Sequence, residues 1–277
     1  MGMIIPTFLK WVGGKRKILE KIDQHLPEKI ENYYEPFIGG ASVFFYIKQK
    51  YNPKFCMISD INKDLIDTYI YVRDKSLELI KHLENLKKLN SEEDYYKIRE
   101  SFNQNKYRGI KRSAIFIYLN KTCFNGIYRV NSNNKFNVPY GKHKNIEIFN
   151  KENILFASSL LQGVDIRCHD YGELKNFIEK NDFVYLDPCY DPLKKTSFAN
   201  YTPNKFTKEE NERLAKFVAE LNRRGTKILL SNNITKNVKK HYSKKDGFTK
   251  IIIRSFRSVG SIGKYRKVMP EFLIKNF

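Results

Sequence analysis

Tyr33-Tyr34-Glu35-Pro36-Phe37-Ile38-Gly39-Gly40-Ala41-Ser42 reads as a short strand running into a glycine turn. Lys54-Phe55-Cys56-Met57-Ile58-Ser59 follows as a buried strand that ends at Asp60. A glycine turn after a strand lets backbone come close to a nucleotide-like group, and an acid some 20 positions on can accept hydrogen bonds from ribose hydroxyls. Gly39-Gly40 lacks the G-x-G-x-x-G spacing, so no second glycine admits a pyrophosphate. The pattern therefore points to a ligand with a ribose but no phosphate; its structural alternative is an ordinary turn with a surface Asp.

Outward from this stretch, strand and helix alternate. Ile18, Leu19, Ile22 and Leu26 make one apolar face of a helix. Asn181-Asp182-Phe183-Val184-Tyr185-Leu186 is a strand ending at Asp187, and Thr207 to Glu210 is a capping box opening a helix with Leu214, Phe217, Val218 and Leu221 on one face. Thr226-Lys227-Ile228-Leu229-Leu230 is a further strand, ending at Ser231-Asn232. The alternation predicts an α/β fold with a parallel, doubly wound sheet, in which ligands sit at the carboxyl ends of strands. Between Leu65 and about Asn150 the pattern changes to helices (Leu79, Leu83, Leu86; then 112–120) and a Gly/Asn-rich loop, which reads as an inserted helical domain.

The 277 residues are 41% apolar and 29% charged, enough for a sizeable core in one large or two smaller domains. Fifty-one Lys and Arg against thirty Asp and Glu leave a net charge of +21, whose usual partner is a polyanion, nucleic acid or an anionic membrane surface. Position favours nucleic acid. Residues 106–151 hold ten Lys or Arg and one acid, Glu147, while 236–277 hold twelve against Asp246 and Glu271. Phe116, Tyr118, Phe124, Asn125, Tyr128, Arg129, Phe136 and Asn137 are interleaved in the first block, as expected where side chains both stack on bases and touch phosphate.

Several classes drop out. Cys56, Cys123, Cys168 and Cys189 are widely spaced, with no C-x-x-C pair, so neither a metal site nor a disulfide scaffold is expected. No signal-like start and no apolar run near the ~20 residues of a membrane span is seen, which predicts a cytoplasmic protein, associated with DNA and not with a membrane. Lys10-Trp11-Val12-Gly13-Gly14-Lys15 lacks the first glycine and the final hydroxyl of a phosphate loop, having Leu9 and Arg16 there. What remains is a Trp that can cover a flat ring and a Lys that can meet a carboxylate.

Asp187-Pro188-Cys189-Tyr190 offers a carboxylate, rigid carbonyls and a stacking ring in one small cup, which suits a planar exocyclic amine. Such an amine is a poor nucleophile because its lone pair is delocalised into the ring. Accepting both of its hydrogens, by a side-chain oxygen and a backbone carbonyl, localises that lone pair toward an electrophile.

Taken in order, these motifs resemble the Dam family of DNA adenine N6-methyltransferases of the alpha group. Residues 10–15 resemble the family's K-W-A-G-G-K, E-P-F-I-G-G-A-S its E-P-F-V-G-G-G, D-I-N-K-D-L-I its acidic motif, and D-P-C-Y its D-P-P-Y. L-N-K-T-C-F-N-G-I-Y-R-V with F-N-V-P-Y-G-K resembles its recognition signature, and the series spans residues 8–271. The resemblance implies a Rossmann-like methyltransferase sheet from 1–64 and 151–277, with a helical target-recognition domain at 65–150. It also implies methyl transfer from S-adenosyl-L-methionine to N6 of a flipped adenine in duplex DNA, with GATC as the favoured site.

Carried over residue by residue, Trp11, Lys15, Phe37, Gly39, Gly40, Asp60, Asp170, Tyr171 and Asp187 would hold the cofactor, with Asp60 on its ribose. Asp187, the Pro188 carbonyl and Tyr190 would hold the adenine. Lys10, Asn125, Ile127, Arg129 and Pro139 would contact DNA, and Phe124 would wedge into the stack. A cognate restriction endonuclease in the same system is the protein partner this leaves open. Two departures stand out: Ala41 replaces the third glycine of the cofactor turn, and Cys189 the second proline of the catalytic motif, adding a backbone N–H. Asp187, Pro188 and Tyr190 are retained, so catalysis is expected to survive and no thiol chemistry is expected of Cys189. The alternatives are a DNA-binding protein of the same fold with weakened or lost catalysis, and cytosine N4 methylation, which more often has Ser or Asn at the Asp187 position.

Overall fold

A computed structural model describes residues 3–89, 91–143, 146–190, 207–256 and 268–277. Its strands are β1 (Asn32–Glu35), β2 (Phe55–Ser59), β3 (Asp165–Arg167), β4 (Phe183–Leu186), β5 (Lys227–Asn233), β6 (Thr249–Phe256) and β7 (Val268–Lys275). They form one sheet in the order β3-β2-β1-β4-β5-β7-β6. The first five are mutually parallel, and β7 runs antiparallel to both β5 and β6. Strand order reverses between β1 and β4, so a crevice opens at their adjacent carboxyl ends, where doubly wound sheets place ligands.

Side chains alternate between two cores. Tyr33, Ile58, Phe183, Tyr185 and Leu229 enter one, while Tyr34, Met57, Val184, Leu186, Ile228 and Leu230 enter the other. Both faces are covered, which is why these strands read as nearly continuous apolar runs.

The helices are α1 (Leu19–Asp23), α2 (Ser42–Tyr51), α3 (Lys63–Asp74), α4 (Ser76–Leu86), α5 (Glu92–Asn103), α6 (Gly109–Thr122), α7 (Lys151–Leu161), α8 (Lys208–Arg223) and α9 (Lys236–His241). The first core continues from the sheet through α2 and α3 into α4 and α6, where Leu79, Leu83 and Leu86 are buried. In α6 every residue from Ser113 to Asn120 is buried, as expected of a helix surrounded by others. The second core is closed by α8, whose Leu214, Phe217, Val218 and Leu221 all face it.

Three readings of local structure are corrected. The first helix stops at Asp23, and Leu26 packs beyond its end. β5 continues to Asn233, because Ser231, Asn232 and Asn233 pair with Leu273, Phe272 and Glu271 of β7. Thr207 caps α8 through the Glu210 amide, but the Glu210 carboxylate serves Tyr171 and Arg213. Among the described residues no helix is long and apolar enough to cross a membrane.

Candidate active site

Asp187 leaves the carboxyl end of β4, and Lys15 opens the 3₁₀ turn Lys15–Ile18 on the other side of the crevice. Lys15 Nζ donates to both Asp187 oxygens at 2.6 Å and to the Gly13 carbonyl at 2.9 Å, and only 4% of the residue is exposed. Its backbone N–H donates to Ser42 Oγ at 3.1 Å, fastening this segment to the start of α2. Burial pushes the Asp187 carboxyl above its ordinary range, with Lys15 pulling the other way.

Other buried polar groups crowd the same place. Tyr190 lies with its ring centroid 5.0 Å from Lys15 Nζ and donates its hydroxyl to Glu271 Oε2 at 2.5 Å. Glu35, 3% exposed at the end of β1, accepts the Tyr33 hydroxyl at 2.6 Å; burial drives its carboxyl far above the ordinary range. Cys189 is pushed up to about 12 by burial, with Asp60 and Asp187 adding to it, so it stays a neutral thiol.

The glycine turn is shaped by Trp11. A Cβ on Gly39, whose φ is +43°, would lie 2.7 Å from Trp11 Cδ1, and one on Gly40 would lie 3.0 Å from Trp11 Cβ. Only glycine permits that approach. Ala41 also adopts a left-handed conformation, at φ 55° and ψ 21°, where its methyl group is disfavoured. Asp60 accepts the Asn62 amide at 3.0 Å and the Gly39 amide at 3.4 Å, while burial pushes its carboxyl up to about 6. Tyr69 donates to the Gly39 carbonyl at 2.8 Å.

Phe37 packs on Tyr171 with centroids 5.1 Å apart, and Tyr171 is itself buried, donating to Glu210 at 2.8 Å. Asp170 is held at 2.7 Å by each terminal nitrogen of Arg213 and accepts the Gly172 amide at 2.8 Å. The structure thus joins Trp11 to Gly39 and Gly40, Gly39 to Asp60, and Lys15 to Asp187. Phe37, Asp170 and Tyr171 form an adjoining group braced by α8.

The Gly/Asn-rich segment folds as a doubled-back loop, with bridges Cys123↔Tyr140 and Val130↔Phe136. Phe124 donates its amide to the Pro139 carbonyl at 2.9 Å, and Asn125 takes φ 56°. Ile127 donates its amide to Phe124, while Arg129 Nε and Nη2 reach the Asn137 side-chain and main-chain oxygens at 2.7 and 3.1 Å. Tyr95 and Arg99 of α5 both donate to the Val138 carbonyl, which ties the loop to the helical layer. Asn120 of α6 accepts the Lys10 amide at 2.8 Å and donates to its carbonyl at 2.7 Å, so Lys10 is positioned from the helical layer. The loop also meets the Lys10–Lys15 segment directly: Tyr128 stacks on Trp11, with centroids 6.0 Å apart and planes 15° apart.

The family model of D12 class N6 adenine-specific DNA methyltransferase matches residues 11–258. The chain belongs to that family. Type II methyltransferase M.MjaIII of Methanocaldococcus jannaschii is 43% identical over 291 residues, covering 99% of this chain and 100% of the relative. Type II methyltransferase M1.LlaDCHI of Lactococcus lactis subsp. cremoris is 36% identical over 279 residues, covering 99% and 96%. DNA adenine methylase of Escherichia coli strain K12 is 34% identical over 273 residues, covering 96% and 94%.

In this adenine-specific DNA methyltransferase the side chains around the crevice form a buried polar set, Lys15 among several carboxyls: Glu35 at the end of β1, Asp187 just after β4 and Glu271 from the middle of β7. Sequence reasoning missed Asn120, Tyr128 as a neighbour of Trp11, and Glu271. Glu271 had one signal, being one of two acids in a strongly basic final block. Asn120 had none beyond its place in the recognition signature, because its partner Lys10 is 110 residues away.

Proposed function

We propose that this methyltransferase transfers a methyl group from S-adenosyl-L-methionine to N6 of adenine in duplex DNA, within GATC, on a base turned out of the helix. The observation that carries the reading is the meeting of Lys15 and Asp187 at the switch point, beside the Gly39-Asp60 turn. The donor set fits the cofactor: a carboxylate at the end of β2 suits a ribose diol, and a buried Lys–Asp pair suits a charged amino-acid tail. Asp60 would hold the ribose, Trp11, Phe37, Tyr171 and Asp170 would surround the adenine, and Lys15 with Asp187 would meet the tail. Bound there, the cofactor supplies a methyl group made electrophilic by its sulfonium.

The chain's own residues do the rest. Asp187 accepts one hydrogen of the target amine and the Pro188 carbonyl the other, which turns the nitrogen lone pair out of the ring plane. As positive charge develops on that nitrogen, the Asp187 carboxylate beside it is the stabilising counter-charge and the first acceptor of the proton that the methylated nitrogen sheds, which then passes to solvent. Tyr190 supplies the ring on which the base stacks. Extrusion of the base is required because its amine is otherwise inaccessible to a bound cofactor.

Recognition is assigned to residues 65–150, with 1–64 and 151–277 as the catalytic part. Lys10, Ile127, Arg129 and Pro139 meet base edges in this reading, Asn125 contacts the DNA, and Phe124 fills the gap the adenine leaves. The Arg129 fork suits guanine O6 and N7. The Asn137 oxygens hold that fork in one orientation through Nε and Nη2. The test is a comparison of initial methylation rates on a GATC duplex and on duplexes altered at one base pair each. A drop of at least a hundredfold for each change at the G·C pairs is expected; equal rates would refute the assigned site.

A further inference from the structure

We infer that Glu271 is a positioning residue for the methyl-transfer site, fixing the ring of Tyr190 and keeping the single hydroxyl proton of that tyrosine away from Asp187. The inference rests on the reading of Tyr190 as the ring that stacks on the target adenine, and adds to it a residue from β7.

Glu271 sits in the middle of β7, paired in register with Asn233 of β5 and Ile253 of β6. Only 2% of it is exposed. Such a position, flanked by strands on both sides, is ordinarily apolar, because burying a carboxylate is expensive unless hydrogen bonds hold it. Its Oε2 accepts the Tyr190 hydroxyl at 2.5 Å, across 81 residues of chain. A hydrogen bond at the tip of an aromatic side chain restricts both of its torsions. The Tyr190 ring is therefore tethered to β7, a strand paired on both sides, although Tyr190 itself lies outside any strand.

The second consequence concerns protons. Asp187 and Tyr190 flank the same Lys15 Nζ, the carboxylate at 2.6 Å and the ring centroid at 5.0 Å, so the tyrosine neighbours Asp187. A phenol has one proton to give. With that proton given to Glu271, the Asp187 oxygens keep their accepting capacity for Lys15 and, in the proposed reaction, for the target amine. Without Glu271 that proton is no longer committed to β7 and can be given to Asp187, an acceptor that the reaction needs.

The test is a double-mutant cycle on single-turnover methylation of a GATC duplex, with a fluorescent adenine analogue at the target position reporting base unstacking. Glu271→Ala and Tyr190→Phe should each slow methyl transfer at least tenfold, with duplex affinity and cofactor affinity within about threefold of the unmutated enzyme. The double variant should be no slower than the slower single one. Glu271→Gln keeps an accepting oxygen and should stay within about threefold. Additive losses would overturn the inference, as would a Glu271→Gln enzyme as slow as Glu271→Ala, or a Tyr190→Phe enzyme with unchanged rate. If Glu271→Ala does not fold, the Gln and Phe variants still decide. Tyr190→Ala separates the two claims: full activity and unchanged fluorescence there would refute stacking itself, whereas its loss together with an unaffected Glu271→Ala would refute only the role of Glu271.

Discussion

The proposed role of Asp60 in holding the ribose of the cofactor is testable through pH. Burial raises its carboxyl from 3.8 to about 6, although the Asn62 and Gly39 amides donate to it. Only the ionised form accepts both ribose hydroxyls without a proton of its own in the way. Affinity for the demethylated cofactor should therefore be level above about pH 7 and fall roughly tenfold per unit well below pH 6, so that about one-tenth of the sites remain competent near pH 5. Asp60→Ala should weaken binding at pH 8 by about 1.5 to 3 kcal/mol, the range for hydrogen bonds to a charged group. Asp60→Asn should remove the fall due to Asp60, and titration of the ligand itself is common to both proteins.

Stability has the opposite sign. The folded-state pKa is raised, so between about pH 4 and 6 the native chain holds the proton more tightly than the unfolded one, and this group's contribution diminishes as pH rises. Asp60→Asn should accordingly gain up to about 3 kcal/mol over the unmutated protein above pH 6, by the conversion of about 1.4 kcal/mol per unit. Calorimetric titration from pH 5 to 8 checks the binding half, and denaturant unfolding checks the other. An unmutated enzyme with flat affinity over that range, or an Asn variant with the same fall, would refute the reasoning.

Lys15→Met leaves Asp187 buried without its cation, so the carboxyl rises further; the acid limb of the rate–pH profile should move to higher pH and single-turnover rates near pH 7 should fall at least tenfold. Ala41→Gly relieves a left-handed alanine, and equilibrium unfolding should show a gain of up to about 1 kcal/mol after the entropy of the added glycine is counted. Arg112→Met breaks a two-pronged pair with Asp64, at 2.5 and 2.8 Å, that joins α6 to α3; with both side chains under 20% exposed, urea unfolding should register a loss of about 3 kcal/mol.

The sequence carried the site where the chemistry is local. Asp187 and Asp60 each follow a buried strand, and Lys15 follows a glycine pair, so short motifs marked all three. β1, β2 and β4 were equally legible because both faces of each are covered. The last residues of β5 were not, since Ser231-Asn232-Asn233 look like a turn and become strand only through pairing with β7. The antiparallel β6–β7 pair escaped notice because lysine and arginine are spread through it, and because the pairing of β7 with β5 spans about forty residues of chain. Glu271 and Asn120 act across 81 and 110 residues, and no periodicity reports such a contact. Ala41 was legible as a departure, but its positive φ was not. Part of the second basic block, residues 257–267, lies outside the described residues.

The central claim is that Asp187 accepts the amine of an adenine that becomes methylated at N6. It is tested most directly by incubating a GATC duplex with labelled S-adenosyl-L-methionine and either the unmutated enzyme or Asp187→Ala, digesting the product to nucleosides, and measuring duplex affinity in parallel. The account predicts label in N6-methyladenine alone with the unmutated enzyme, none with Asp187→Ala, and a much smaller change in affinity, because the lost group holds the amine and not the backbone. Transfer by Asp187→Ala within tenfold of the unmutated enzyme, or label on cytosine, would contradict it.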